Sequence, residues 1–138
     1  MTAINITLND RTPELFQKLQ AGIERFVVKG SAHLQGELRA SMAAPKHGRL
    51  YGRHRASAPG ESPAVDSGNL ITSIAIVSEN SLEAKIGTPV EYAAYLEHGT
   101  SRMAARPLWE RTARKSLPTL DAILAKEIGA GRATVGVE

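Results

Sequence analysis

Three of the four histidines, two glutamates and one Ser-Gly pair are the places where this chain could do chemistry. A zinc site needs His or Cys ligands at set spacings, such as two histidines one helical turn apart. Here His47 and His54 stand seven residues apart, His98 is remote from both, and there is no cysteine. No metal and no cofactor is expected, and thiolate chemistry is excluded. Acid–base catalysis needs two carboxyl groups in an apolar setting. Glu91 and Glu97 are six residues apart, so on a helix they point to different sides. No strand precedes Ser67-Gly68, so it is not a nucleophile elbow, and no Gly-rich phosphate loop is present. The chain is expected not to be an enzyme. Glu97 and His98 read instead as groups that cap or charge the end of a short helix.

Charge is the more informative pattern. Between Ala44 and Gly60 lie Lys46, Arg49, Arg53 and Arg55, with His47, His54 and no acid, around Tyr51. That local formal charge of +4 exceeds the +3 of the whole chain. Cations beside an aromatic ring can grip phosphate and stack a base. A solvated basic loop docking on acidic protein is the competing reading. Lys46, Arg49, Tyr51, Arg53 and Arg55 are therefore candidate contacts to DNA or to a neighbouring subunit. A second cluster, Arg102, Arg106, Arg111, Arg114 and Lys115, reads as an ordinary solvated face, with Glu110 one turn before Arg114.

The elements that must position these groups follow from periodicity. Residues 3–8 alternate apolar and polar, as a short strand does. Leu15, Phe16, Leu19, Ile23, Phe26, Val27, Leu34 and Leu38 recur at helical spacing, predicting one long helix over about 13–43. Residues 44–66 hold Pro45, Pro59, Pro63 and several glycines without an apolar period, predicting a long loop or mobile arm. A helical turn near Leu70 passes into a hairpin of about 74–87, turning at Glu79-Asn80-Ser81. A short helix over 90–98 stops at Gly99. Pro107 starts a last helix that Pro118 should bend or divide, and the Gly-rich stretch 129–138 should fray. The sum is one α+β domain over residues 1–138: a small antiparallel sheet, a long N-terminal helix and C-terminal helices packed on it, and a long basic loop.

The 138 residues suit one domain, and aromatics make up only 4%, so the core must be aliphatic. A subunit with such a core gains stability from neighbours. The first ten residues lack the basic and apolar regions of a signal peptide, and no apolar run approaches a membrane span. A soluble product made in the cytoplasm, with no membrane partner, is expected.

One stretch is more specific than all of these: Val90-Glu91-Tyr92-Ala93-Ala94-Tyr95-Leu96-Glu97-His98-Gly99-Thr100-Ser101-Arg102-Met103-Ala104-Ala105-Arg106-Pro107-Leu108. It resembles the signature of the tail-component family of long-tailed phages, the "gene product ten" family of HK-type phages. That signature reads Y-A-x-Y-hydrophobic-E-x-G-T-S, a basic residue, then x-A-R-P. The segment Ala58-Pro59-Gly60 through Ser67-Gly68-Asn69-Leu70 is similar to the family's A-P-G-x-x-P-x-x-x-[ST]-G-x-L, and Ile86-Gly87-Thr88 to its strand end. The likeness covers about residues 58–110. It implies a structural subunit of a ring, hexameric to match the tail, in the neck or upper tail of the virion. Such a ring joins head connector to tail tube around the DNA channel, among other neck and tail proteins. Its assembly motif would be Tyr92, Tyr95, Glu97, Gly99, Thr100, Ser101, Arg102, Arg106 and Pro107. The alternatives are the related tail terminator and a nucleic-acid-binding module that uses the basic arm.

Overall fold

The computed structural model describes residues 12–133, and the strand expected at residues 3–8 lies outside them. Helix α1 spans Thr12–Ala43, about 48 Å at 1.5 Å per residue. A small hairpin follows, β1 (Leu50–Tyr51) and β2 (His54–Arg55). Helix α2 (Asn69–Ser73) leads into β3 (Ala75–Asn80) and β4 (Glu83–Gly87). Helix α3 (Tyr92–His98) and helix α4 (Trp109–Ala133) complete the chain. The architecture is mixed α+β, with two separate two-stranded antiparallel sheets.

The β3–β4 hairpin pairs Ala75 with Gly87, Ile76 with Ile86 and Val77 with Lys85, with an irregularity between Ser78 and Asn80. The alternation works as expected. Ile76 and Ile86 are half-buried, whereas Val77 and Lys85 on the other face are exposed. At the foot of the hairpin Ile74 is fully buried, and its carbonyl accepts hydrogen bonds from Gln35 and Arg39 of α1, each at 2.9 Å. Truncating Ile74 to Ala would cost about 2–5 kcal/mol, because packing and transfer free energy are lost together.

The core gathers Leu38 and Met42 of α1, Leu70 of α2, Ile74, Ala93 of α3 and Leu108. Trp109, Leu96, Val90 and Ile86 pack around it half-buried. Helix α4 packs mainly along α1. Gly22 and Gly30 lie at that crossing, which gives a packing reason for two residues that weaken a helix in isolation. Glu127 of α4 is buried there and pairs with Lys29 and with Arg25 (2.7 Å), which hold its carboxyl below the usual carboxylate range.

Two expectations about α4 change. Pro118 does not divide the helix, which runs on to Ala133, into the stretch expected to fray. Pro118 and Arg114 are exposed, so water can satisfy the carbonyl of Arg114 that the missing N–H would have paired. Residues 134–138 lie outside the described part.

The segment 44–66, read in the sequence as a long loop or mobile arm, is mostly loop and holds one small element. It forms the β1–β2 hairpin, paired Leu50 with Arg55 and Tyr51 with His54. Gly48 N–H donates to Ala56 O and Ala56 N–H to Arg49 O, continuing the ladder. A Cβ at Gly48 would stand 2.5 Å from Ala56 O, so only glycine lets the two limbs approach this closely.

Candidate functional site

The stretch from α3 to α4 is a corner built from inward-directed polar groups. Gly99 has φ +75 and ψ 177, backbone that a residue with a Cβ resists. Its N–H donates to Tyr95 O at 2.8 Å and closes α3. The chain then makes a tight turn in which Thr100 N–H donates to Met103 O at 2.8 Å and Met103 N–H returns to Thr100 O at 3.3 Å. The hydroxyl of Thr100 accepts from Arg102 N–H at 3.2 Å. Ser101 and the Arg102 side chain are exposed at the tip. Coming back, Arg106 N–H donates to Leu96 O at 2.6 Å, and Pro107 leads into Leu108 and α4.

Glu97 takes a role the sequence reading missed. It was expected at the end of its own helix. Instead its carboxylate accepts from the N–H groups of Leu108 (2.6 Å), Trp109 (3.0 Å) and Glu110 (3.1 Å). A helix start leaves four N–H groups without helical partners and carries partial positive charge. Glu97 therefore caps α4 from eleven residues upstream. The corner at Gly99 makes this possible by folding the chain back on α3. His98 does sit in the last turn of α3, as expected.

Arg106 fixes the corner to the basic segment. Its Nε donates to Ser57 Oγ at 3.0 Å and its guanidinium also donates to Ala104 O at 2.9 Å. Gly60 N–H donates to Ala105 O at 3.1 Å, and Arg111 donates to Gly60 O at 2.7 Å. The two motif pieces, distant in sequence, are thus one hydrogen-bonded unit. Tyr92 and Tyr95 are both exposed on α3, Tyr92 beside a groove of about 400 Å³ shared with Leu70 and Leu96.

The five arm residues take different local roles, although Lys46, Arg53 and Arg55 line one shallow depression. Lys46 Nζ donates to Ser41 O (2.6 Å) and Ser62 Oγ (2.9 Å), which places an ammonium at the C-terminal end of α1, where its charge is favourable. Burial pushes the Lys46 pKa down, and nearby Glu61 opposes that. Arg55 donates to Gly48 O at 3.1 Å within the hairpin. Arg49 lies over the Tyr51 ring at 5.3 Å, a cation–π contact, and Arg53 is exposed at the hairpin turn.

Glu61 is the second residue missed in the sequence. Its carboxylate accepts from Ala58 N–H (2.7 Å) and His47 N–H (3.1 Å), and meets His47 Nδ1 at 2.5 Å. These bonds, that from Ala58 foremost, hold its pKa down at about 2. Of the second basic cluster Arg102, Arg111, Arg114 and Lys115 are exposed, as expected, whereas Arg106 is half-buried in the corner. Arg114 pairs with Glu110 at 2.7 Å and Lys115 stands 3.6 Å from Glu37 of α1.

Among the described residues no group of three or more His, Asp or Glu is placed to hold a metal ion. No helix among them is long and apolar enough to cross a membrane. Compared with family models, curated proteins and solved structures, the chain matches none of them.

Proposed function

We propose that this chain is a non-catalytic structural subunit of a ring in the neck or upper tail of a long-tailed bacteriophage. Assembled in the host cytoplasm and located in the virion, the ring joins head connector to tail around the DNA channel. The resemblance of residues 58–110 to the tail-component signature suggests the class. The observation that carries the reading is how the motif residues are used. Gly99, Thr100, Arg106 and Glu97 direct their polar groups at backbone or at Ser57, and none faces a cleft as an unpartnered acid, base or nucleophile. Such a corner sets the angle between two helices, which is what a subunit with fixed neighbours needs.

Surface composition supports the same reading. Only six apolar side chains are buried among the described residues, while eleven large ones are exposed, including Phe16 (66%), Val28 (67%) and Tyr95 (60%). Single exposed apolar residues are ordinary, but an excess over the core fits a protein completed by neighbours.

Native mass spectrometry and cryo-electron microscopy of the purified chain test the proposal. A closed hexameric ring is expected, stable to moderate salt. A chain that stays monomeric at its highest soluble concentration, and is missing from purified particles of the phage encoding it, overturns the reading.

A further inference from the structure

The two basic clusters that sequence spacing keeps apart meet across one cleft. It lies between the C-terminal end of α1, the basic segment and the first turns of α4, with a volume of about 520 Å³. Its wall carries Lys46, Arg111 and Lys115 together with Glu37 and Glu61. Three cations therefore face two carboxylates, one unit of formal positive charge in excess. Glu61 is engaged by His47 and Ala58, and Glu37 is matched by Lys115 at the loose distance of 3.6 Å.

Donors remain where the cations converge. An ammonium has three N–H groups and a guanidinium five. Lys46 uses two, toward Ser41 O and Ser62 Oγ, and Arg111 uses one toward Gly60 O. Both side chains line the cleft, from two different elements. Ser62, itself buried, spends its hydroxyl proton on Ser41 O and serves to hold Lys46 at the cleft. Lys46 and Arg111 are close enough to repel, and an entering anion would relieve that repulsion. Planar guanidinium with flanking ammonium groups suits a tetrahedral oxyanion, since it offers paired bonds and charge together.

We infer that the cleft between α1, the basic segment and α4 is a binding site for a phosphate group, held by Lys46, Arg111 and Lys115. This does not rest on the ring: phosphate titration tests the cleft, and imaging tests assembly. The phosphate could belong to a nucleic-acid backbone or be free, and the two are separated by experiment. Inorganic phosphate is titrated into the full chain by calorimetry at constant ionic strength, and a short DNA duplex by fluorescence anisotropy. Saturable phosphate binding is expected, weakened about tenfold or more by Arg111→Gln and by Lys115→Met. Lys126→Gln, which removes an exposed charge from α4 outside the cleft, should leave it unchanged. Lys115→Met keeps the test decisive if Arg111→Gln loosens the Gly60 contact, because its ion pair is loose and exposed. Duplex binding whose salt slope falls by about 1 with each of these variants assigns the phosphate to a nucleic-acid backbone. Phosphate binding without duplex binding assigns it to free phosphate. Absence of saturable binding by both, or equal weakening by Lys126→Gln and Arg111→Gln, overturns the inference.

Discussion

Adding one carbon at Gly99 is expected to do more damage than adding one anywhere on the exposed face of α1. A Cβ at Gly99 would stand 2.8 Å from Ala105 N and 2.9 Å from Met103 O. Both are backbone atoms, held in place by the Thr100–Met103 turn and the Gly60–Ala105 bond, so neither can swing aside. The backbone conformation itself, at φ +75, costs a residue with a side chain about 1–3 kcal/mol. Forcing atoms into packed space adds about 1–3 kcal/mol. Gly99→Ala should therefore destabilise by about 2–6 kcal/mol. At about 3–5 °C per kcal/mol for a domain of this length, Tm falls by about 6 °C at the least. Gly36 is the matched control. It lies in α1, is exposed, and a Cβ there meets nothing within 4 Å. Gly36→Ala should stabilise by about 0.5–1 kcal/mol, through helix propensity alone. Thermal and urea unfolding followed by circular dichroism measure both variants. If Gly99→Ala melts with the wild type, or rises as Gly36→Ala does, the corner is not the rigid unit described above.

Other expectations concern the groups that tie elements together. Glu97→Ala removes the cap of α4 and should cost about 1–2 kcal/mol in chemical denaturation, with faster exchange of the Leu108–Glu110 amides; unchanged exchange there speaks against the cap. The Glu61 carboxyl lies below its ordinary value, at about 2, so its stabilisation is complete above about pH 4.5 and is lost as pH falls toward 2. Protection of the His47 and Ala58 amides relative to their intrinsic exchange should fall across that window, and Glu61→Gln should flatten the dependence; protection persisting at pH 2 contradicts this. Ser116 Oγ is buried without a hydrogen-bond partner, so Ser116→Ala should raise stability by about 1 kcal/mol, and a lower Tm would point to a partner that the side chain does have. In a complementation assay with phage lacking the wild-type protein, Arg106→Ala should reduce tailed, infectious particles more than Arg53→Ala, and the reverse order would shift the function to the hairpin turn.

The parts legible in the sequence are those set by local periodicity. The stripe from Leu15 to Leu38 marked α1, the alternation around Ile76 and Ile86 marked the hairpin, and Gly99 marked the end of α3. What stayed hidden depends on returning chain. Glu97 looks like a residue of α3, and nothing local says that a turn at Gly99 carries Leu108 back to it. Lys46 reads as one more arm cation, although Pro45 turns it beneath the last turn of α1, where Ser41 O needs a donor. A signal for the β1–β2 hairpin did exist in Leu50-Tyr51-Gly52, with Gly52 at φ +61 between two short limbs. Strands of two residues are too short for alternation to register, so charge content prevailed in the reading. Of the two outcomes read for Pro118, bending or dividing α4, division does not occur, since the exposed Arg114 carbonyl can turn to water.

These hidden contacts share a physical cause. A core of six buried apolar side chains cannot by itself fix the mutual orientation of α1, α3 and α4. Directional bonds take over. Glu97 orients α4 on α3, Arg106 and Arg111 tie the basic segment to both, and Lys46 anchors that segment to α1. Each of these residues contributes through geometry more than through buried area, so conservative changes of charge or length should be felt. Arg106→Lys is the sharpest case. Lysine keeps the charge and much of the reach, yet cannot serve Ser57 Oγ and Ala104 O from two sides of a planar group. If position 106 acts by charge alone, Arg106→Lys should assemble and melt as the wild type does. If it acts by geometry, the variant should lose stability toward the level of Arg106→Ala while the net charge stays the same. Parallel melting curves of the three proteins separate the two, and a lysine variant indistinguishable from wild type would remove Arg106 from the set of residues that hold the corner.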